Sequence, residues 1–137
     1  MIWYFENKKI ENIEQFPKDC FGFIYEVKHI ESGKKYIGKK QLMSNRTLPP
    51  LKGQKRKRKV VKESDWKTYY GSQKEIKELV KENQGNGFHR EILQFCFTKK
   101  QLTYYELKWQ FAKGVLENDE YLNDNLLGKF FKKDLVL

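Results

Sequence analysis

The segment GFIYEVKHIESGKKYIGKKQLMSNR, Gly22 to Arg46, carries two runs with the composition of strands, joined by a short polar break. Phe23-Ile24-Tyr25-Glu26-Val27 is aromatic and β-branched, the composition that suits a half-buried pleated surface. Ser32-Gly33 is a turn signal, and Lys35-Tyr36-Ile37-Gly38 is the returning run. With Ser32 and Gly33 as a two-residue loop, Glu31 faces Lys34 and His29 faces Tyr36. Strand side chains alternate with period two. Tyr25 lies four residues before His29, so the hairpin puts Tyr25 and Tyr36 on one surface. Gln41 to Arg46 is expected to begin a helix, which Pro49-Pro50 interrupts.

The same residues resemble a known family. Ile24-Tyr25, Gly33-Lys34 and Tyr36-Ile37-Gly38 are similar to the paired motifs of the GIY-YIG nucleases, in which Gly-Ile-Tyr precedes Tyr-Ile-Gly by about ten residues. Here Phe23 stands where the family has glycine, and the glycine is displaced to Gly22. The family also carries an arginine on the next helix, and Arg46 sits at that spacing. The resemblance implies a mixed α/β fold with a small three-stranded, mostly antiparallel sheet flanked by helices. It implies Tyr25 as general base, Tyr36 as the group that orients water or phosphate, and Arg46 as the clamp on the scissile phosphate. Small stand-alone members of this kind resemble those of phages and homing endonucleases.

Working outward, the chain of 137 residues suffices for one domain and one modest core. Residues 1–20 are an N-terminal extension in which Ile2-Trp3-Tyr4-Phe5 reads as an edge strand, with Trp3 covering the sheet edge. The net charge is +10, which points to a polyanionic partner, double-stranded DNA first. A membrane-surface role is weaker, because no basic helix face is paired with a strong apolar one. No signal peptide or membrane-spanning run is read, and Cys20 and Cys96 have no ligand-like spacing. The expectation is a cytoplasmic protein with reduced, structural cysteines.

Residues 48–62 hold seven basic side chains and no acidic one. They are Lys52, Lys55, Arg56, Lys57, Arg58, Lys59 and Lys62, expected together with Lys39 and Lys40 to contact DNA. Charge this dense resists packing, so 48–63 reads as a solvated basic loop inserted into the domain. It is either an arm that grips phosphates, carrying affinity rather than sequence choice, or an ordinary solvated charge run.

Ser64–Ser72 is an aromatic cluster in which Trp66, Tyr69 and Tyr70 are expected in the core. Ser72 with Glu75 suggests a capping box for the next helix, which Gly85-Asn86-Gly87 ends. Phe88–Phe97 reads as a central strand, with His89 a surface or hydrogen-bonded residue. Thr98 caps a helix running to about Leu116, with Leu102, Tyr105, Trp109, Ala112 and Leu116 as its apolar stripe.

Glu106 borders that stripe, and its helical neighbours Leu102, Thr103, Trp109 and Gln110 include no cation. An inward carboxylate without a partner is costly. Periodicity leaves two readings open, a tertiary ion pair or a metal or catalytic site. The resemblance implies the second, because GIY-YIG domains carry a glutamate on this helix and an asparagine near a tyrosine some fifteen to seventeen residues later, here Asn123 in Tyr121-Leu122-Asn123. One carboxylate suits one magnesium or manganese ion that keeps most of its waters. Lys35 or Lys39 is expected to favour the Tyr25 phenolate. The functional expectation is a divalent-metal-dependent DNA endonuclease. The alternative is a non-catalytic nucleic-acid-binding module on the same scaffold.

Overall fold

The computed structural model describes residues 2–135, apart from the side chain of Arg46. Its centre is a five-stranded sheet in the order β2-β1-β7-β3-β4. The strands are β1 (Trp3–Phe5), β2 (Lys8–Ile10), β3 (Gly22–His29), β4 (Lys35–Gln41) and β7 (Phe88–Cys96). The expected antiparallel trio is β7-β3-β4, and β7 is central as read. The N-terminal extension enlarges the sheet. β1 runs parallel to β7 and β2 forms the edge, so Trp3 is fully buried rather than laid over an edge.

The β3–β4 register is offset by two residues from the expectation. Tyr36 opposes Val27, and Tyr25 opposes Gly38. The loop is longer than two residues, since the Gly33 N–H donates to the His29 carbonyl at 2.8 Å and the His29 N–H to the Lys34 carbonyl at 2.8 Å. Ser32 Oγ lies 2.7 Å from His29 Nδ1, a side-chain contact that favours this wider turn. A two-residue slide keeps parity, so Tyr25 and Tyr36 still share a face.

Each face of the sheet has its own core. One face buries Trp3, Phe23, Tyr25, Val27 and Ile92 against Trp66, Tyr70 and Ile76. Ile76 is the buried anchor of helix α1 (Lys74–Asn83). Its N-cap is Gln73, whose side chain accepts from the Ile76 N–H at 2.9 Å, so Ser72 is left free of the expected capping role. The other face buries Ile24, Ile37, Cys96 and Leu102 under helix α2 (Lys99–Ala112). Thr98 caps α2 as expected, accepting from the Gln101 N–H at 3.0 Å. The helix ends four residues early, at Ala112, and Gly114 just beyond it takes a left-handed φ of +58°. Ala112 is therefore exposed, and Leu116 reaches the core from beyond the helix.

The expected helix after the hairpin is a strand. β5 (Met43–Leu48) pairs antiparallel with β6 (Arg58–Glu63) in a separate two-stranded ribbon. Thr47, Val60 and Val61 supply β-branched residues, and Pro49-Pro50 prevents a helix from continuing. The basic insertion is thus half strand and half turn, rather than loop throughout. A final small hairpin joins β8 (Asn125–Leu126) to β9 (Phe130–Phe131). Among the described residues no helix is long and apolar enough to cross a membrane.

Candidate active site

β4 is an edge strand, and the chain uses that edge twice. Residues 120–123 cover its first half. The Lys35 N–H donates to the Glu120 carbonyl at 2.8 Å, and the Leu122 N–H to the Lys35 carbonyl at 2.7 Å. At the next edge position a side chain replaces backbone. Asn123 Oδ1 accepts from the Ile37 N–H at 3.1 Å, and its Nδ2 donates to the Ile37 carbonyl at 2.8 Å. Gln110 of α2 donates to the same carbonyl at 3.1 Å. Both amides are buried. The peptide between Tyr36 and Gly38 is therefore held by one group from each side of the chain's second half.

Past Ile37 lies a polar cleft of about 430 Å3, lined by Tyr36, Glu106, Gln110, Asn123 and Asp124 with Ser72, Gln73 and Lys74 from the start of α1. Tyr36 reaches it from one face of the sheet and Glu106 from the other. Gly38 is what lets Tyr25 and Tyr36 pack together on one face of β4. A Cβ there would stand 2.5 Å from Tyr25 Oη, 2.8 Å from Tyr25 Cζ and 2.9 Å from Tyr36 Cε1. The Tyr25 hydroxyl thus lies directly against the backbone of residue 38, its ring tilted against Tyr36 with centroids 6.3 Å apart. Phe23 does not disturb this. It is fully buried beside Trp3, with ring centroids 5.1 Å apart.

The Glu106 side chain is 16% exposed, and among the described residues it pairs with Lys39 Nζ at 4.0 Å. Burial pushes its carboxyl up from the usual range, and the Lys39 ammonium and backbone N–H only partly offset that. So Glu106 has the tertiary ion pair that periodicity left open, in a long and partly exposed form, and it also faces the cleft. The two readings are compatible in this geometry.

The tyrosines run against one expectation. Burial pushes the Tyr25 phenol well above its ordinary value, and the nearby Tyr69, Tyr36 and Glu106 push the same way. Burial also raises Tyr36, partly relieved by a hydrogen bond with Ser72 and reinforced by Glu106 and Asp124. The cations expected to favour a phenolate are engaged elsewhere. Lys35 Nζ lies 3.4 Å from Glu120 and Lys39 is turned to Glu106 and to Thr103, whose hydroxyl is 3.1 Å away. Lys35 is not among the cleft residues. Nor is Tyr25, which is 1% exposed and packs behind Tyr36.

The remaining site residues fall as follows. Arg46 has its backbone in β5, opposite Val60, and its side chain lies outside the described residues. It stands on a strand, since no helix forms there. Lys40 pairs with Asp65 and lies over the Tyr69 ring, 3.9 Å from its centroid. Lys52, Lys55, Arg56 and Lys57 are exposed in the turn of the ribbon, and Arg58, Lys59 and Lys62 are exposed on β6. Cys20 and Cys96 are free and buried.

Three features were not read from the sequence. Gln110 lies one turn after Glu106 on the same helix face, a spacing that was available. Asp124 adjoins Asn123. Arg90 is the least expected: buried on β7, it is stacked between the rings of Trp3 and Tyr70, its Cζ 4.5 and 4.4 Å from their centroids. It donates to the Tyr69 carbonyl at 2.8 Å, and its other terminal nitrogen has no partner among the described residues. Burial lowers its pKa to about 10, which still leaves it charged at neutral pH. No periodic signal marks a cation held by two aromatic faces.

Neither the curated proteins nor the solved structures compared with this chain give a significant match. A family model does. The description it carries is "Putative endonuclease segE, GIY-YIG domain", and it matches residues 3–126, which includes β1, the ribbon, both helices and Asn123. Together with the mixed α/β sheet, that match over nearly the whole chain establishes that the protein belongs to the GIY-YIG nuclease family, in its segE-type domain.

Proposed function

We infer that this protein is a divalent-metal-dependent endonuclease that hydrolyses phosphodiester bonds of double-stranded DNA. The observation that carries the reading is the cleft at the open edge of β4, where a phenol, a half-buried carboxylate and two clamped amides converge. The family assignment supplies the reaction class, nuclease chemistry. The net charge of +10 supplies the affinity for a polyanion.

Glu106 fits one hard cation. Among the described residues no three His, Cys, Asp or Glu side chains stand together, so the donors do not suit a two-metal cage. They suit one magnesium or manganese ion that takes Glu106 and keeps its waters. When bound, such an ion supplies positive charge beside the scissile phosphate and beside the phenols. The chain's own groups do the rest. Tyr36, at the cleft wall, orients the attacking water or a phosphate oxygen. Tyr25, packed beneath Gly38, holds a proton at Oη; once that proton has passed to a solvent hydroxide, the phenolate would take one from the attacking water, and positive charge in the cleft would favour that form. Asn123 and Gln110 fix the peptide that carries Tyr36. Arg46 is assigned to the scissile phosphate, where a guanidinium forms paired charge-assisted hydrogen bonds. The exposed cations of the ribbon neutralise flanking phosphates.

The test is plasmid cleavage in a series of divalent metals, with the products mapped. Nicking or linearisation is expected with magnesium or manganese and is lost in Glu106→Ala and in Arg46→Ala. Retained cutting in both variants removes the assignment. Salt-dependent binding without cutting in any metal assigns the chain instead to a binding module on the nuclease scaffold.

A further inference from the structure

Among the described residues, the ribbon is a substantial element that the two cores do not explain. β5 and β6 pair only with each other, and β6 is exposed along its whole length. A two-stranded hairpin left alone in water is marginal at best. This one carries Val61 at 64% exposure in the middle of a strand. Such a ribbon is suited to being completed by a partner, and its charge says which. Seven basic and no acidic side chains over 48–62 match the phosphate walls of a DNA groove.

The two faces of the ribbon differ along β5. On one, Ser44 and Leu48 are half-buried opposite exposed Lys62 and Arg58, and the Ser44 hydroxyl donates to the Lys62 carbonyl at 3.2 Å. On the other, half-buried Met43 opposes Glu63, whose carboxylate accepts from the Trp66 indole at 2.7 Å; next to that pair Asn45 opposes Val61 and Thr47 opposes Lys59, and these four are exposed. These are groups that read base edges. Asparagine pairs with adenine N6 and N7, lysine with guanine O6 and N7, and valine or threonine methyls contact the thymine methyl. The major groove, about 12 Å wide, admits a two-stranded ribbon. The two opposed pairs are two residues apart along each strand, about 6.8 Å. That is roughly two steps of the duplex at 3.4 Å each.

We propose that the β5–β6 ribbon lies in the major groove with Asn45, Thr47, Lys59 and Val61 toward the bases, and that it sets a preference at two or three adjacent base pairs. This goes further than the phosphate-gripping arm expected of a basic loop, which carries affinity alone. It rests on the reading of DNA as substrate, and does not need the cleft to cut.

The experiment is selection of bound sequences from a randomised duplex pool without divalent metal, beside affinity measured over a range of salt. Wild-type protein is expected to enrich one short motif, with discrimination on the order of tenfold to a hundredfold at its best position. Asn45→Ala/Thr47→Ala flattens that motif and leaves the slope of log affinity against log salt unchanged. Asn45→Gln, which keeps the amide, retains part of it. Lys55→Ala/Arg56→Ala/Lys57→Ala keeps the motif and lowers the slope by about 2 to 3, at roughly 0.9 per lost phosphate contact. A wild-type pool without enrichment, or enrichment untouched by Asn45→Ala/Thr47→Ala, overturns the ribbon assignment and leaves the nuclease reading standing. Enrichment without cutting in any metal does the reverse. Failure to bind DNA at all removes both.

Discussion

Replacing Gly38 by alanine adds one methyl carbon at the place where the two tyrosines meet. That carbon would stand 2.5 Å from Tyr25 Oη, 2.8 Å from Tyr25 Cζ and 2.9 Å from Tyr36 Cε1, against 3.4 Å or more for an ordinary contact. Something must move by roughly 0.5 to 1 Å. Tyr25 is the stiffer of the two. It is 1% exposed, and its ring meets Trp3 and Tyr69 edge to face, with centroids 5.5 and 5.9 Å away. Packed interiors yield little, and forcing an extra methyl into one costs about 1–3 kcal/mol. Tyr36 has the open cleft beside it and moves more easily, so most of the displacement falls on the group at the wall. A shift of about 1 Å in a positioning group costs on the order of a hundredfold in rate.

The expected result is a loss of about 1–3 kcal/mol in urea unfolding, with cleavage down roughly a hundredfold. The backbone φ at Gly38 is not in the left-handed region, so the whole effect is steric. Tyr25→Phe in the same chain removes the atom of the shortest contact. The double variant therefore recovers part of the lost stability, with a coupling of about 0.5–3 kcal/mol between neighbouring sites. Gly38→Ala within about 0.5 kcal/mol of wild type, the range of neutral surface changes, would refute the geometry of the paired tyrosines.

Four further outcomes are expected. Glu106→Gln abolishes cleavage yet raises stability at pH 7, because a carboxyl whose folded pKa is raised stabilises the fold below its unfolded pKa of about 4.3 and loses that as pH rises through the folded value; thermal unfolding against pH should show the gain vanish in acid. Both phenols are pushed up, so cleavage limited by proton transfer to a phenolate should climb by up to about tenfold per unit from about pH 7 to 9, and a plateau below about pH 8 in the rate profile would move the base elsewhere. Asn123→Ala orphans the buried Ile37 N–H, at about 1–3 kcal/mol in denaturant unfolding, whereas Gln110→Ala leaves the Ile37 carbonyl its Asn123 partner and costs less. Arg90→Lys gives up planar stacking on two rings and should destabilise by about 1–2 kcal/mol, measured in the same way.

What the sequence revealed and what it hid divide along a physical line. The hairpin parity survived a wrong loop length because side-chain alternation tolerates a slide of two. The start of α2 and the central β7 were legible because their signals are local, the Thr98 cap for one and a run of aromatic and aliphatic strand formers for the other. The β5–β6 ribbon was not. Gln41–Arg46 has no strong period of its own, and the partner that makes it a strand comes after a basic turn whose charge argued against order. Partner-dependent pairing is non-local, so no window of sequence contains it. The same holds for Arg90, whose environment is assembled from β1, β7 and the segment before α1.

The cleft shows why the candidate site was only half readable. Its parts sit on opposite faces of one sheet and meet around the last exposed edge. Sequence can place Tyr36 on a face and Glu106 on a stripe. It cannot say that, among the described residues, β4 has no further strand neighbour beyond Ile37, which leaves the edge where the two come together. That vacancy costs the fold something: an uncovered strand edge invites pairing with other chains, and here residues 120–123 cover it only until the cleft begins. An ionised Glu106 beside it adds a second cost, since burial disfavours its charge. Sites that must receive a charged substrate commonly keep such liabilities. The buried carboxylate is the liability a single substitution can remove. Glu106→Leu, which exchanges the charge for apolar contact with the α2 core, should gain stability and lose cutting together. Higher stability with unchanged cleavage would separate the Glu106 carboxylate from the chemistry.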